Sequence, residues 1–143
     1  MLGTYLQFGG HVELDENPWQ TVAHEVLEET GYDLNQLKIM QPKSRLRKLT
    51  GVTLHPEPVI MLSHEFSPGH FHTDIEYLFV ATGEPSHAVG NDESTDIRAF
   101  SQAELMDESI PNIPENIREV GSFILSHRLI EWEPVDVSEF SLD

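Results

Sequence analysis

The sequence predicts a single α/β layer domain. Three observations carry that reading. One helix over residues 18–30 is signalled at both ends. Several short runs of β-type residues follow it, and a second amphipathic stretch lies near the end. The chain is 143 residues long, enough for one real core and too short for two ordinary domains.

Taken in order, residues 3–8 (GTYLQF) read as a short strand that runs into Gly9 and Gly10. The helix follows. Asn17 is a good N-cap, and Pro18 stands at the first helical position, where its missing N–H costs nothing. Trp19, Val22, Ala23, Val26 and Leu27 form one apolar stripe, as an amphipathic helix requires. Gly31 stands where a left-handed C-terminal cap belongs. Glu25, Glu28 and Glu29 lie beside the stripe, at the rim of the expected core. Like charges three and four positions apart repel. A cation between them would relieve that, and hard divalent ions such as Mg²⁺ favour oxygen ligands.

Residues 36–49 alternate loosely and read as a strand, with Lys43, Arg45 and Arg47 on one face at period two. They are either a solvated face or a phosphate contact, for which Arg is well shaped. His55-Pro56-Glu57-Pro58 is a turn. Residues 59–66 and the latter half of residues 70–82 read as two strands that could form a hairpin. His70, His72 and Asp74 would point to one side if extended. That pattern suits zinc or iron ligation, but equally an exposed or hydrogen-bonded strand edge. Residues 83–95 are a polar loop holding Asp92 and Glu93. Residues 96–100 read as a strand. Ser101 and Glu104 make a capping box for a short helix, and residues 114–129 read as a longer one. From Glu131 the chain is acidic and without period. Trp132, Val135, Val137 and Phe140 either dock or leave a mobile tail.

The formal net charge is −17. Such a surface repels nucleic acid and anionic membranes, so neither is expected as a partner. It also repels free nucleotides, so a phosphate-bearing substrate needs local help. Of the eight Lys and Arg residues, four lie between residues 43 and 48: Lys43, Arg45, Arg47 and Lys48. There is no cysteine, hence no disulfide framework and no thiolate metal site. No apolar run suggests a span and no basic, apolar leader opens the chain, so a cytoplasmic location is expected.

The stretch from residue 10 to residue 32 resembles the Nudix signature G-x5-E-x7-R-E-U-x-E-E-x-G-U, where U is bulky and apolar. This chain reads Gly10, Glu16, His24, Glu25, Val26, Leu27, Glu28, Glu29, Thr30, Gly31, Tyr32 at the matching positions. It departs in two places. His24 stands where the family has Arg, and Tyr32 fills the last apolar slot. The resemblance implies an α/β/α sandwich with a mixed β-sheet. It also implies upstream strands, and here only nine residues precede the box. A late-starting sequence is the first expectation, and a strand supplied by a second copy in a homodimer the next.

The resemblance further implies hydrolysis of a nucleoside diphosphate linked to another moiety, a small-molecule substrate. Glu25, Glu28 and Glu29, with the Gly9 carbonyl, would hold Mg²⁺ or Mn²⁺. Glu25 or Glu93 would act as general base, with Asp92 close behind. Glu16 and His24 would orient the loop. Similar H-x-H-x-D stretches in related sequences imply a substrate-pocket role for His70, His72 and Asp74, and Phe8 or Tyr5 would stack on a base. The alternative is a Nudix fold that binds and senses a nucleotide without turning it over, which the His24 departure permits. A third reading is a metal-binding protein built on His70, His72 and Asp74.

Overall fold

The computed structural model describes residues 4–142. Helix α1 (Pro18–Thr30) forms as its caps dictate. The Asn17 side chain accepts from the Trp19 and Gln20 amides at 2.9 and 3.0 Å, and Gln20 Oε1 accepts from the Asn17 amide at 2.8 Å. These bonds satisfy amides that the first turn would otherwise leave unpaired. Gly31 closes the helix at φ 75°, its amide bonded to the Leu27 carbonyl at 2.9 Å.

The sheet behind α1 has three strands. Strand β1 (Leu37–Pro42) is central, flanked by β4 (Phe79–Ala81) and β5 (Trp132–Asp136). Ile39 faces Phe79 on one side and Val135 on the other. A separate two-stranded ribbon pairs β2 (Ile60–Ser67) with β3 (His70–Glu76). Every strand pair among the described residues is antiparallel, so the mixed sheet is not seen within them. The core gathers on Trp19, which is fully buried with Ile39, Val135, Val137 and Phe140. The indole stacks near Phe79 at 6.1 Å and meets the edges of Tyr77 and Phe140 at 5.5 and 6.1 Å. One residue thus fixes α1 against the sheet. None of the described helices is long and apolar enough to cross a membrane.

Several expected elements differ. Residue 3 lies outside the described residues, and residues 4–8 form no strand; the Tyr5 amide bonds to the Asn112 carbonyl at 2.7 Å instead. The strand expected over 36–49 ends at Pro42, and the basic run is a loop. Lys43, Arg45 and Arg47 therefore share no strand face. The run 70–82 is two strands in two sheets, broken at Tyr77 and Leu78. The hairpin with the preceding run forms, through β3. Residues 96–100 form no strand among the described residues; Arg98 lies over the Phe100 ring at 4.5 Å and Tyr5 against its edge at 5.1 Å.

Helix α2 (Gln102–Leu105) carries its capping box, Ser101 with Glu104. The last helical stretch is α3 (Glu115–Phe123), a π-type turn over Ile124–Arg128 and a closing turn α4 (Leu129–Glu131). The acidic end is no loose tail. Residues 132–136 are β5, and Val137 and Phe140 sit in the core. Pro134 is tolerated because β5 is an edge strand, where an absent donor faces outward.

Arg45 explains why the basic run leaves the sheet. Its side chain is 2% exposed and donates to Glu133 Oε1 at 2.7 Å, Glu139 Oε2 at 3.1 Å and the Pro42 carbonyl at 3.0 Å. Arg47 reaches the same two carboxylates at 3.4 and 3.5 Å. The guanidinium of Arg45 ties the loop after β1 to β5. The bond from Arg45 is the main cause that holds the Glu133 carboxyl below its usual range. A carboxyl lowered by folding stabilises the native state above its unfolded pKa, and the contribution is lost as pH falls through the folded value. Arg45→Ala should therefore lower the thermal midpoint more than Arg47→Ala at neutral pH. The gap from wild type should shrink as pH falls below the ordinary carboxylate range, as midpoints taken across pH would show.

Candidate active site

Helix α1 presents Glu25, Glu28 and Glu29 beside its buried face, and a strap over residues 7–11 crosses them. The Gly9 amide donates to Glu29 Oε2 at 2.7 Å. Gly10 lies so close to Glu25 that a Cβ there would sit 1.8 Å from Glu25 Oε1. The glycine pair thus lets the main chain run directly over two of the three carboxylates. Gly9 engages the helix through its N–H, not through the carbonyl expected to ligate an ion.

A fourth carboxylate comes from far along the chain. The loop after β4 is pinned to the C-terminal end of α1 by two main-chain bonds. His87 N–H donates to the Gly31 carbonyl at 3.0 Å, and Gly90 N–H to the Glu28 carbonyl at 2.7 Å. The His87 ring also pairs with Asp33 Oδ2 at 3.0 Å. A turn bond from Glu93 N–H to the Gly90 carbonyl, 3.1 Å, then returns the chain toward the helix. A Cβ on Gly90 would stand 3.3 Å from the Glu28 carbonyl and 3.4 Å from Glu93 Cγ. Asp92, next to Glu93, is exposed on this loop.

The electrostatics register this convergence. Burial pushes the Glu25 carboxyl up; His24 opposes this, and Glu28, Glu93 and Glu16 push the same way. Burial also raises Glu29, against the pull of the Gly9 amide, with Glu25 and Glu93 adding to the rise. Burial and neighbouring negative charge raise Glu25 and Glu29 alike, and a cation there would relieve that charge.

His24 stands in the middle. Its Nδ1 is 3.5 Å from Glu16 Oε1, and its Nε2 is 3.1 Å from Glu28 Oε1. The hydrogen bond to Glu28 is the main cause that holds its pKa above the usual range. Glu16 is also fixed by Thr21 Oγ1 at 3.0 Å. The imidazole therefore links the loop to the helix, and it also occupies Glu28. Among the described residues, no three His, Asp or Glu side chains aim their donors at one point.

The remaining expected residues lie elsewhere. Arg45 and Arg47 are engaged with Glu133 and Glu139, on the β5 side of the sheet. His70, His72 and Asp74 share one face of the β2–β3 ribbon. This face meets the strap: His11 packs edge-on against His72 at 5.3 Å, and Gln7 donates to Glu76 at 3.3 Å. Sequence reasoning missed His11, His64, Thr21 and Gly90. His64 and His11 carry no spacing that singles them out. Gly90 was legible only as part of a turn-forming loop.

The NUDIX domain family model matches residues 5–120. The chain belongs to the NUDIX family. The box helix, the glycine strap and the loop carrying Glu93 all fall within that match. The chain is also similar to a hydrolase of the NUDIX family from Clostridium perfringens, known from a crystal structure. The TM-score is 0.71 at 28% identity, covering 90% of this chain and 83% of that one. No match was found among curated proteins. The α/β architecture of this chain is accordingly the Nudix fold, here with a three-stranded sheet and a separate ribbon.

Proposed function

We propose that this Nudix protein hydrolyses a nucleoside diphosphate linked to another moiety, with Mg²⁺ or Mn²⁺ as the required ion. The observation that carries the reading is the meeting of Glu25 and Glu29 with the glycine strap, and of the Glu28 backbone with the pinned loop that bears Glu93. An all-carboxylate donor set suits a hard cation. Glu25, Glu28 and Glu29 would hold the ions, and the Gly9 carbonyl would complete the set. When bound, the ions would neutralise charge on the diphosphate and acidify an attacking water.

The chain's own groups do the rest. Gly9 and Gly10 put no side chain between the strap and the carboxylates of α1. Glu25 and Glu93, whose charges act on one another, are the candidates to take a proton from water. Burial raises Glu25 toward the range in which a carboxylate is a competent base. Glu16 and His24 hold the loop against α1. The Arg45 side chain is almost fully buried on carboxylates, which argues against its expected part in substrate binding.

A second reading is favoured by one observation. His24 bonds to Glu28 Oε1, so this oxygen must be released before both oxygens of the carboxylate can serve an ion. A protein in which that bond persists would bind a nucleotide without turning it over.

Cleavage of a panel of nucleoside diphosphate derivatives, with Mg²⁺ or Mn²⁺, separates the two, read as phosphate freed from the phosphomonoester products by an added phosphatase. Activity in the wild type that collapses in Glu28→Gln is the expected result, and the panel member that responds names the substrate class. A folded protein that binds Mn²⁺ and cleaves no member would favour the sensing module.

A further inference from the structure

The face of the β2–β3 ribbon that meets the strap carries an imidazole cluster outside the carboxylate site. His64 on β2 is directly opposite His72 on β3. His70 lies two residues before His72 on the same face. The His72 ring is the hub. Its centroid lies 4.9 Å from His70, 5.5 Å from His64 and 5.3 Å from His11, with all three rings steeply inclined to it. The Phe66 ring stacks flat on His72 at 4.7 Å, with an interplanar angle of 4°. A flat stack covers the face of the imidazole and leaves its edge, where both nitrogens are, to the other rings. His64 Nδ1 faces Asp74 Oδ2 at 3.3 Å, so its Nε2 is the nitrogen left to act outward.

We infer that His64, His70 and His72, with His11 as fourth ligand, form a second metal site that takes a late transition ion of the Zn²⁺ class. The argument begins with distance. A zinc–nitrogen bond of about 2.0–2.1 Å places the ion about 3.2 Å from each ring centroid, and two rings at the tetrahedral angle are then about 5.2 Å apart. The three rings that meet His72 lie at distances from it that bracket that value, and the remaining ring pairs reach it only by rotation about their side-chain torsions. The second argument is the orienting partner. A metal-bound histidine generally gives its other nitrogen to a carboxylate, and Asp74 stands in that place for His64.

The nitrogens do not yet aim at one point. His11, His64 and His70 are exposed, and solvent-exposed rings turn about χ1 and χ2 at little cost. The register of the ribbon, which binding leaves unchanged, already brings His64, His70 and His72 to one face. Ligand chemistry separates the two sites. Imidazole selects Zn²⁺ over Mg²⁺, whereas the carboxylates of α1 favour the harder ion. Through His11, an ion here would also tie the strap to the ribbon. The inference rests on this cluster alone and holds whether or not the protein hydrolyses a diphosphate.

The test is a Zn²⁺ titration of the chelator-treated full chain, with millimolar Mg²⁺ present to occupy the carboxylates. One Zn²⁺ per chain, with a raised thermal midpoint, is expected. Co²⁺ in place of Zn²⁺ should give the intense visible absorption of a tetrahedral nitrogen site. His70→Ala should weaken Zn²⁺ binding by about tenfold or more. So should His72→Phe, which keeps a ring stacked on Phe66 and removes both nitrogens. Glu28→Gln should leave binding unchanged. The inference is overturned if Zn²⁺ does not bind against excess Mg²⁺, or if Co²⁺ shows only weak octahedral absorption. It is equally overturned if both histidine variants bind like the wild type or if Glu28→Gln abolishes binding. The Co²⁺ spectrum of the unaltered protein decides the matter even if a variant fails to fold.

Discussion

Trp19→Ala is expected to destabilise the protein by about 3–5 kcal/mol, a fall of about 10–20 °C in the thermal midpoint. The indole is fully buried and touches both layers. It packs on Tyr77 and Phe79 around β4, and on Phe140 after β5. Its removal opens a cavity between α1 and the sheet, which neither layer can close without moving the other. The indole N–H has no partner in the structure, so no hydrogen bond is lost in the substitution. Trp19→Phe should therefore recover much of the loss, because it refills most of the cavity. Denaturant melts of the three proteins check this. A fall of under about 1 kcal/mol for Trp19→Ala would show that the helix is held by something other than this residue.

Gly31→Ala is the second large effect, and it reaches the site. Gly31 lies at φ 75°, where an L side chain is strained by about 1–2 kcal/mol. A Cβ there would also come within 2.2 Å of the His87 carbonyl oxygen and 2.9 Å of its carbon. Both are main-chain atoms and cannot swing aside. The expected loss is about 2–5 kcal/mol. Relief requires the loop at His87 to move off the helix end. That displaces the bond from His87 N–H to Gly31 and, three residues on, the bond from Gly90 N–H to Glu28. Glu93 then leaves the carboxylates of α1. Below its melting temperature, the folded Gly31→Ala variant should thus lose hydrolysis. Gly83→Ala, where a Cβ meets nothing within 4 Å, should not. Equal activity in the two variants would show that the loop reaches its place without this contact.

Much of the site was legible because its signals are local. A cap, a glycine and a helical register operate within a few residues, so α1, its caps and its three glutamates follow from spacing alone. The capping box at Ser101 is readable for the same reason. The Nudix pattern extends this along the box, since each of its positions is defined by its neighbours in the chain.

What spacing leaves undecided is pairing. Alternation suggested a strand through the basic run. The burial of Arg45 on Glu133 and Glu139 ends it at Pro42, and those partners lie far along the chain. The acidic end has the composition of a tail, yet its backbone completes the sheet beside β1, because a strand edge needs partners whatever side chains it carries. Glu93 was a candidate among loop acids, but only the bonds to Gly31 and Glu28 bring it to the helix. The imidazole cluster depends on strand register and on the strap passing His72, neither of which a linear pattern contains. Local hydrogen bonding and helical period are written in neighbouring residues. Ion pairs, register and loop pinning join residues distant in sequence, and only the folded chain sets which of them meet.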